Sequence, residues 1–73
     1  MPDVTLKQTK INNYYISLRT VTSYDITHYE VSLAECYGCE IYRVSLSCSY
    51  GLDQKKKALA TYSRYCRKAR GNN

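Results

Sequence analysis

Residues 28–48 read HYEVSLAECYGCEIYRVSLSC, and their side-chain pattern is the strongest structural signal in the chain. Apolar and polar side chains alternate on both sides of Tyr37-Gly38, with the period of two that is typical of a strand with one buried face. Two such runs joined by a short turn that contains glycine predict a β-hairpin.

The length of the turn fixes the predicted register. If Tyr37-Gly38 is a two-residue loop, Cys36 lies opposite Cys39, and one face of the hairpin is apolar while the other is polar. The apolar pairs are then Leu33 with Tyr42, Val31 with Val44 and Tyr29 with Leu46.

The same alternation continues upstream and is replaced by a helical period downstream. Strands are predicted at residues 14–22, 27–35 and 40–48 and a helix at 54–70, whereas the polar residues 1–13 are predicted to be a loose N-terminal arm. The expected fold class is α+β with β-β-β-α order. An antiparallel three-stranded sheet would carry one C-terminal helix on its apolar face, and residues 1–73 would form a single domain.

The predicted helix has one apolar stripe and two terminal signals. Asp53 is expected to cap its first turn, and Gly71 to end it. The stripe covers an arc of about 120°, which is the width of a core-facing helix surface, and its members are Ala58, Leu59, Tyr62, Tyr65, Cys66 and Ala69.

The positive charge of the chain is concentrated in this helix. Residues 51–73 hold seven basic residues and one acidic residue, which gives +6, whereas residues 1–50 hold four basic and five acidic residues, which gives −1. Lys55, Lys56 and Lys57 fall in the first turn, where a cation is disfavoured by about 0.3 to 1 kcal/mol. Local rules broken without compensation are typical of functional sites, although the lysines could equally serve solubility.

A basic helix face predicts a partner with negative charge. The chain is therefore interpreted as a small non-catalytic binding module that acts on nucleic acid or a nucleoprotein complex. The alternative partner is an acidic or nucleic-acid-binding protein, and a homodimer is left open. The candidate binding residues are Lys55, Lys56, Lys57, Arg64, Arg67 and Lys68 on the helix, with Arg19 and Arg43 on the sheet.

The four cysteines allow a metal or redox interpretation. Cys36 and Cys39 have the spacing of a zinc knuckle, but the predicted register puts Cys48 about 30 Å from them along the strand. A four-cysteine zinc site is therefore not expected. Cys36 and Cys39 stay as a zinc or redox pair that is less favoured than free thiols, because a hairpin tip has no helix N-terminus to lower a thiol pKa.

No catalytic or cofactor signature accompanies these features. His28 would share the polar sheet face with Ser45 and Ser47, but an open face supplies neither a pocket nor an oxyanion hole. There is also no glycine-rich phosphate loop. The chain is expected to be a non-enzyme with no cofactor and no small-molecule substrate.

The composition indicates a small tyrosine-rich domain in the cytoplasm. A hydrophobic fraction of 44% argues against disorder. No apolar run is long enough to span a membrane, and residues 1–10 lack the apolar core of a secretory signal. In size, single-domain architecture and lack of a catalytic motif, the chain resembles small accessory proteins of bacterial phages and mobile elements, including anti-CRISPR inhibitors. That resemblance implies an alternative function, inhibition of a host defence protein by direct binding.

Overall fold

Four strands and one helix make up the fold in a computed structural model, which describes residues 3–38 and 41–71. The prediction of a three-stranded sheet was wrong, because the sheet is antiparallel with four strands in the order β1-β2-β3-β4. A single 3-10 turn, Leu52–Gln54, leads from the sheet into the helix. The elements are β1 Val4–Ile11, β2 Tyr14–Ser23, β3 Ile26–Tyr37, β4 Ile41–Gly51 and α1 Lys55–Ala69.

Strand β1 takes the place of the predicted loose arm. Asn12 and Asn13 form a tight hairpin turn, with Asn12 in the left-handed region at φ 55°, so that Ile11 pairs with Tyr14. The pairing continues to Val4 opposite Thr20, with a bulge between Thr5 and Lys7. β1 is an edge strand, so its backbone hydrogen bonds to β2 do not require an apolar side-chain pattern. Its exposed residues can therefore be polar.

The predicted register of the β3–β4 hairpin was also wrong. Leu33 pairs with Leu46 instead of Tyr42, and Val31 pairs with Cys48 instead of Val44. The shift is four residues along β4. Because side chains alternate with a period of two, an even shift keeps every residue of Leu46–Tyr50 on its expected face, so the alternation could not detect it.

A bulge at Ser45 changes the register a second time within the β3–β4 hairpin. Residues Leu46 to Gly51 follow one register, but from Val44 backwards the pairing slips, so that Val44 lies opposite Ala34 and Tyr42 opposite Cys36. The bulge turns Tyr42 and Val44 to the face away from the helix, although both were predicted to be in the core. Their side chains are 42% and 61% exposed.

The core lies between α1 and the centre of the sheet. Ile16, Leu18 and Val31 are almost fully buried, and Ala58 of the helix packs against them with no exposed surface. Thr61 is the buried polar residue of the helix stripe, and its hydroxyl shares a 2.6 Å hydrogen bond with the hydroxyl of Tyr50 in β4. This bond removes the cost of burying both groups.

The two ends of α1 are capped differently. Gly71, at φ 85°, ends the helix as predicted, and its amide donates to the carbonyl of Lys68 at 3.1 Å. At the start, Asp53 does not cap α1, since the N-cap residue is Gln54 and it makes no side-chain cap bond. Gln54 Oε1 instead accepts a hydrogen bond from the Gly51 amide at 3.2 Å, which fixes the 3-10 turn.

Candidate functional site

Six cations of α1 and its C-cap residue Arg70 are exposed to solvent. Within residues 3–38 and 41–71, the ion pair of Arg19 with Glu30 is the single one present, so no described carboxylate lies within 4 Å of a helix cation. Uncompensated charge of one sign on a rigid element creates a positive field above it. These exposed cations are Lys55, Lys56, Lys57, Arg64, Arg67, Lys68 and Arg70.

Helical spacing divides most of these cations into two rows. We name the row formed by Lys56, Arg67 and Arg70 the β1 flank, because Arg67 and Arg70 line a cleft shared with Lys7 of β1. Lys56 precedes them by 11 and 14 residues and therefore lies on the same side of the helix.

We name the second row, formed by Lys57, Arg64 and Lys68, the β4 flank. These residues are adjacent in helical spacing to Thr61 and Tyr65. Thr61 bonds Tyr50, and Tyr65 donates to Cys48 Sγ at 3.3 Å, so this side of the helix lies over β4.

A cleft between β1 and α1 lies beside the cations. Its volume is about 570 Å³. It contains three cations and no carboxylate, and its residues are Lys7, Ala60, Tyr62, Ser63, Cys66, Arg67 and Arg70. A concave site of this charge favours an anion and offers the hydroxyls of Tyr62 and Ser63 as additional donors.

Lys7 is the site residue that the sequence analysis missed. Its ammonium nitrogen lies 5.6 Å from the centroid of the Tyr62 ring, a cation–π contact that holds Lys7 on the helix-facing side of β1. The signal that could have found it is the alternation of Lys7, Thr9 and Ile11, whose pairing partners Leu18, Ile16 and Tyr14 all face the helix.

Tyr62 lines the cleft, and its hydroxyl keeps its proton. Burial raises the pKa of its hydroxyl, and the neighbouring Cys66 raises that pKa further. The group is thus a neutral hydrogen-bond donor at physiological pH. Its ring is covered by Lys7, so it offers its edge and hydroxyl rather than a free face for stacking.

The two predicted sheet arginines do not join the helix cations. Arg19 lies on the sheet face away from α1, where its guanidinium donates to Glu30 at 2.8 Å, and this bond raises the Arg19 pKa. Arg43 lies in β4 opposite Glu35. Each therefore has an acidic neighbour, unlike the helix cations, and the sequence-predicted site is split into separate surfaces.

The cysteines do not form a metal centre among the described residues. No group of three His, Cys, Asp or Glu side chains in residues 3–38 and 41–71 could hold an ion. Cys48 and Cys66 are free thiols at the interface of helix and sheet, and Cys36 is a free thiol paired in register with Tyr42. Cys39 lies outside the described residues, so the Cys36 and Cys39 pair stays a prediction.

Comparison with known proteins supplies no relative for this arrangement. No protein-family model, curated protein sequence or solved structure matches the chain. Across the part of the chain that the structure describes, the helix is too short and too polar to cross a bilayer.

Proposed function

We propose that this protein is a non-catalytic module that binds nucleic acid through its phosphate backbone, using the β1 flank and the cleft beside it. The observation that carries the proposal is that Arg67 and Arg70, which have no described acidic partner, line a concave surface together with Lys7. Lys56 extends their row along the same side of the helix. Cations on two walls of a groove contact a polyanion that runs along it.

The dimensions of the row favour a polymer over a small anion. From Lys56 to Arg70 the helix rises by about 21 Å, at about 1.5 Å per residue. That length matches about six phosphates of one duplex strand at about 3.4 Å each. A single phosphate would use only one end of the row and would leave the other cations without a partner.

The chemistry of the cleft favours backbone contacts over base recognition. Lys7, Arg67 and Arg70 are phosphate ligands, and Tyr62 presents a hydroxyl while its ring face is occupied. Unpaired bases stack on open aromatic rings, and the Tyr62 ring that Lys7 covers does not supply one. Binding is therefore expected to be independent of sequence.

The test is a salt series of fluorescence anisotropy titrations with duplex and single-stranded oligonucleotides. Four cations that neutralise phosphates predict a slope of log K against log salt of about −3.6 for duplex DNA. Lys7→Gln should reduce this slope by about 0.9. Arg43→Gln, an equal charge change outside the cleft, is the matched control and should leave the slope unchanged. Absence of binding at low salt, or equal slopes for both variants, would contradict the proposal.

We propose protein docking as a second function, located on the opposite side of β4. The favouring observation is an exposed apolar patch in which the rings of Tyr15 and Tyr42 lie 5.8 Å apart, next to Val44. Aromatic and apolar groups exposed together on one face suit a protein partner better than a phosphate chain. Inhibition of a host defence protein, as in the phage proteins that the architecture resembles, is the form of this function that we expect.

A further inference from the structure

Strand β4 is an edge strand whose protection against pairing is limited to Arg43 and the bulge at Ser45. It is 11 residues long, and it contains no lysine, no proline and no acidic residue. Ile41, Val44 and Leu46 on it are 64%, 61% and 37% exposed. The other edge, β1, carries Lys7 and Lys10. A long apolar edge with unpaired amides and carbonyls is a template for one more strand.

The surroundings of β4 determine which strand would fit. The β4 flank, formed by Lys57, Arg64 and Lys68, lies on the β4 side of the helix, because it is adjacent in helical spacing to Thr61 and Tyr65, which bond Tyr50 and Cys48. Arg43 adds a cation on the same face of the sheet, since it pairs with Glu35 next to the helix-facing Leu33. A strand added at this edge would run beneath a row of cations on one side.

The opposite face of the edge is apolar at Tyr42 and Val44 and carries Ser47 and Ser49 beyond the bulge. The bulge at Ser45 turns Tyr42 and Val44 away from the helix, and Tyr15 of β2 contacts Tyr42 there. Successive side chains of an added strand would alternate between the two faces. Its helix-side residues would meet Arg43 and the β4 flank, and its other residues would meet Tyr42 and Val44 at one end and Ser47 and Ser49 at the other.

We propose that the β4 edge binds an extended segment of a partner protein in which acidic residues alternate with apolar ones. The acidic side chains pair with the β4 flank, and the apolar side chains cover the exposed parts of Tyr42 and Val44. Backbone hydrogen bonds to β4 supply the affinity, and the two faces supply the specificity. The inference rests on the second proposed function, protein docking, and is independent of nucleic-acid binding.

A second copy of this chain does not complement the edge. Ile41–Gly51 contains no acidic residue, so a partner β4 offers nothing to the β4 flank. An antiparallel β4–β4 pair would also be related by a two-fold axis normal to the sheet. That axis puts both helices on the same face and brings Lys57, Arg64 and Lys68 of each copy towards those of the other.

The experiment is calorimetric titration of the full chain with ten-residue synthetic peptides. One peptide alternates glutamate with valine, and a control peptide of equal composition groups its glutamates at one end. The alternating peptide should bind one to one and at least about tenfold more tightly, because only it matches the period of two. Equal affinity of the two peptides would overturn the proposal.

Matched triple variants separate the β4 flank from general charge attraction. Replacing Lys57, Arg64 and Lys68 by glutamine should weaken the alternating peptide by about tenfold, as expected for the loss of three exposed ion pairs. The same replacement of Lys56, Arg67 and Arg70 removes equal charge and should leave the affinity within about twofold. Equal losses in both variants would overturn the proposal. All six side chains are exposed, so both variants should fold.

Backbone methylation tests the strand pairing itself. Two peptides carry N-methyl groups on alternate amides, so that in a paired strand one set faces β4 and the other faces solvent. One of the two should lose binding and the other should keep it, whereas equal binding would overturn the proposal.

Two further measurements distinguish the acidic-strand proposal from a β4–β4 dimer and from protein docking in another mode. The free protein could sediment as a dimer whose β4 amides are protected from hydrogen exchange. In that case a second copy occupies the β4 edge, and the acidic-strand proposal is overturned. Failure of every peptide, while a lysate protein stays bound after nuclease treatment, would overturn the strand inference but leave protein docking standing.

Discussion

Tyr65 links the helix to β4 through one hydroxyl group. Its side chain is 6% exposed, and its hydroxyl donates to Cys48 Sγ at 3.3 Å. Burial, and secondly the bond to Cys48, raises the pKa of Tyr65 to about 12. A tyrosine in solution has a pKa of about 10, so the fold favours the neutral phenol over the phenolate.

This shift makes stability depend on pH in the alkaline range. Because the folded pKa is raised, the contribution of the Tyr65 hydroxyl is complete below pH 10 and is lost as the pH rises towards 12. Tyr65→Phe should lower the free energy of unfolding at neutral pH by about 1 kcal/mol through the lost hydrogen bond. It should also make the alkaline decline shallower.

Urea unfolding at a series of pH values measures both effects. Tyr24→Phe is the control, because Tyr24 is 96% exposed and should behave as the parent protein does. A Tyr65→Phe curve that falls between pH 10 and pH 12 as steeply as the parent curve would contradict the assignment.

At the scale of the element, α1 begins with an arrangement that opposes its own stability. Lys55, Lys56 and Lys57 occupy the first turn, and the N-cap Gln54 contributes no side-chain bond. Arg67 and Lys68 in the last turn have the sign that the helix dipole favours. The cations at the start of α1 therefore destabilise the helix and those at its end stabilise it, although both ends contribute cations to the β1 flank.

Charge reversal at the two ends should separate stability from binding. Lys56→Glu should raise the free energy of unfolding by about 0.5 to 1 kcal/mol, and Arg67→Glu should lower it by a similar amount. Both substitutions should weaken oligonucleotide binding, since both residues belong to the β1 flank. Thermal unfolding and anisotropy titrations of the two variants check this. A Lys56→Glu variant that loses stability, or that binds as tightly as the parent, would contradict the interpretation.

The elements also differ in how far the sequence predicts them. Strands β2 and β3 follow from alternation because Ile16, Leu18 and Val31 lie at the buried centre of the sheet. Strand β1 was missed because Lys7 and Thr9 fill its helix-facing positions at an edge, where burial does not demand apolar residues. The cleft was missed for the same reason, since it exists only once Lys7 stands beside the helix.

The register of β3 with β4 is a second feature that side-chain alternation does not predict. Alternation excludes a shift of one residue but is blind to a shift of four, so the pairing of Leu33 with Leu46 could not be distinguished from its pairing with Tyr42. What selects the observed register is tertiary contact, because Cys48 and Tyr50 meet Tyr65 and Thr61 of a helix that follows in sequence.

For the molecule as a whole, β1, which the sequence predicts to be a loose arm, supports the proposed nucleic-acid site. Strand β1 covers one side of Ile16 and Leu18, which are 0% and 1% exposed, and it supplies Lys7 to the cleft. A domain of this size has a total stability of about 4 to 11 kcal/mol. Loss of one of four strands and exposure of two core residues removes a large part of that margin.

Deletion of residues 1–11 should therefore abolish cooperative thermal unfolding, and oligonucleotide binding with it. Deletion of residues 1–3, which precede β1, is the control and should change the melting temperature little. Circular dichroism during heating measures both variants. A strand that was only an arm would leave the melting temperature unchanged when removed, and the truncated protein would then lose only the share of the salt slope that belongs to Lys7, about 0.9. The two deletions thus decide whether the nucleic-acid site depends on β1 for its fold or only for one cation.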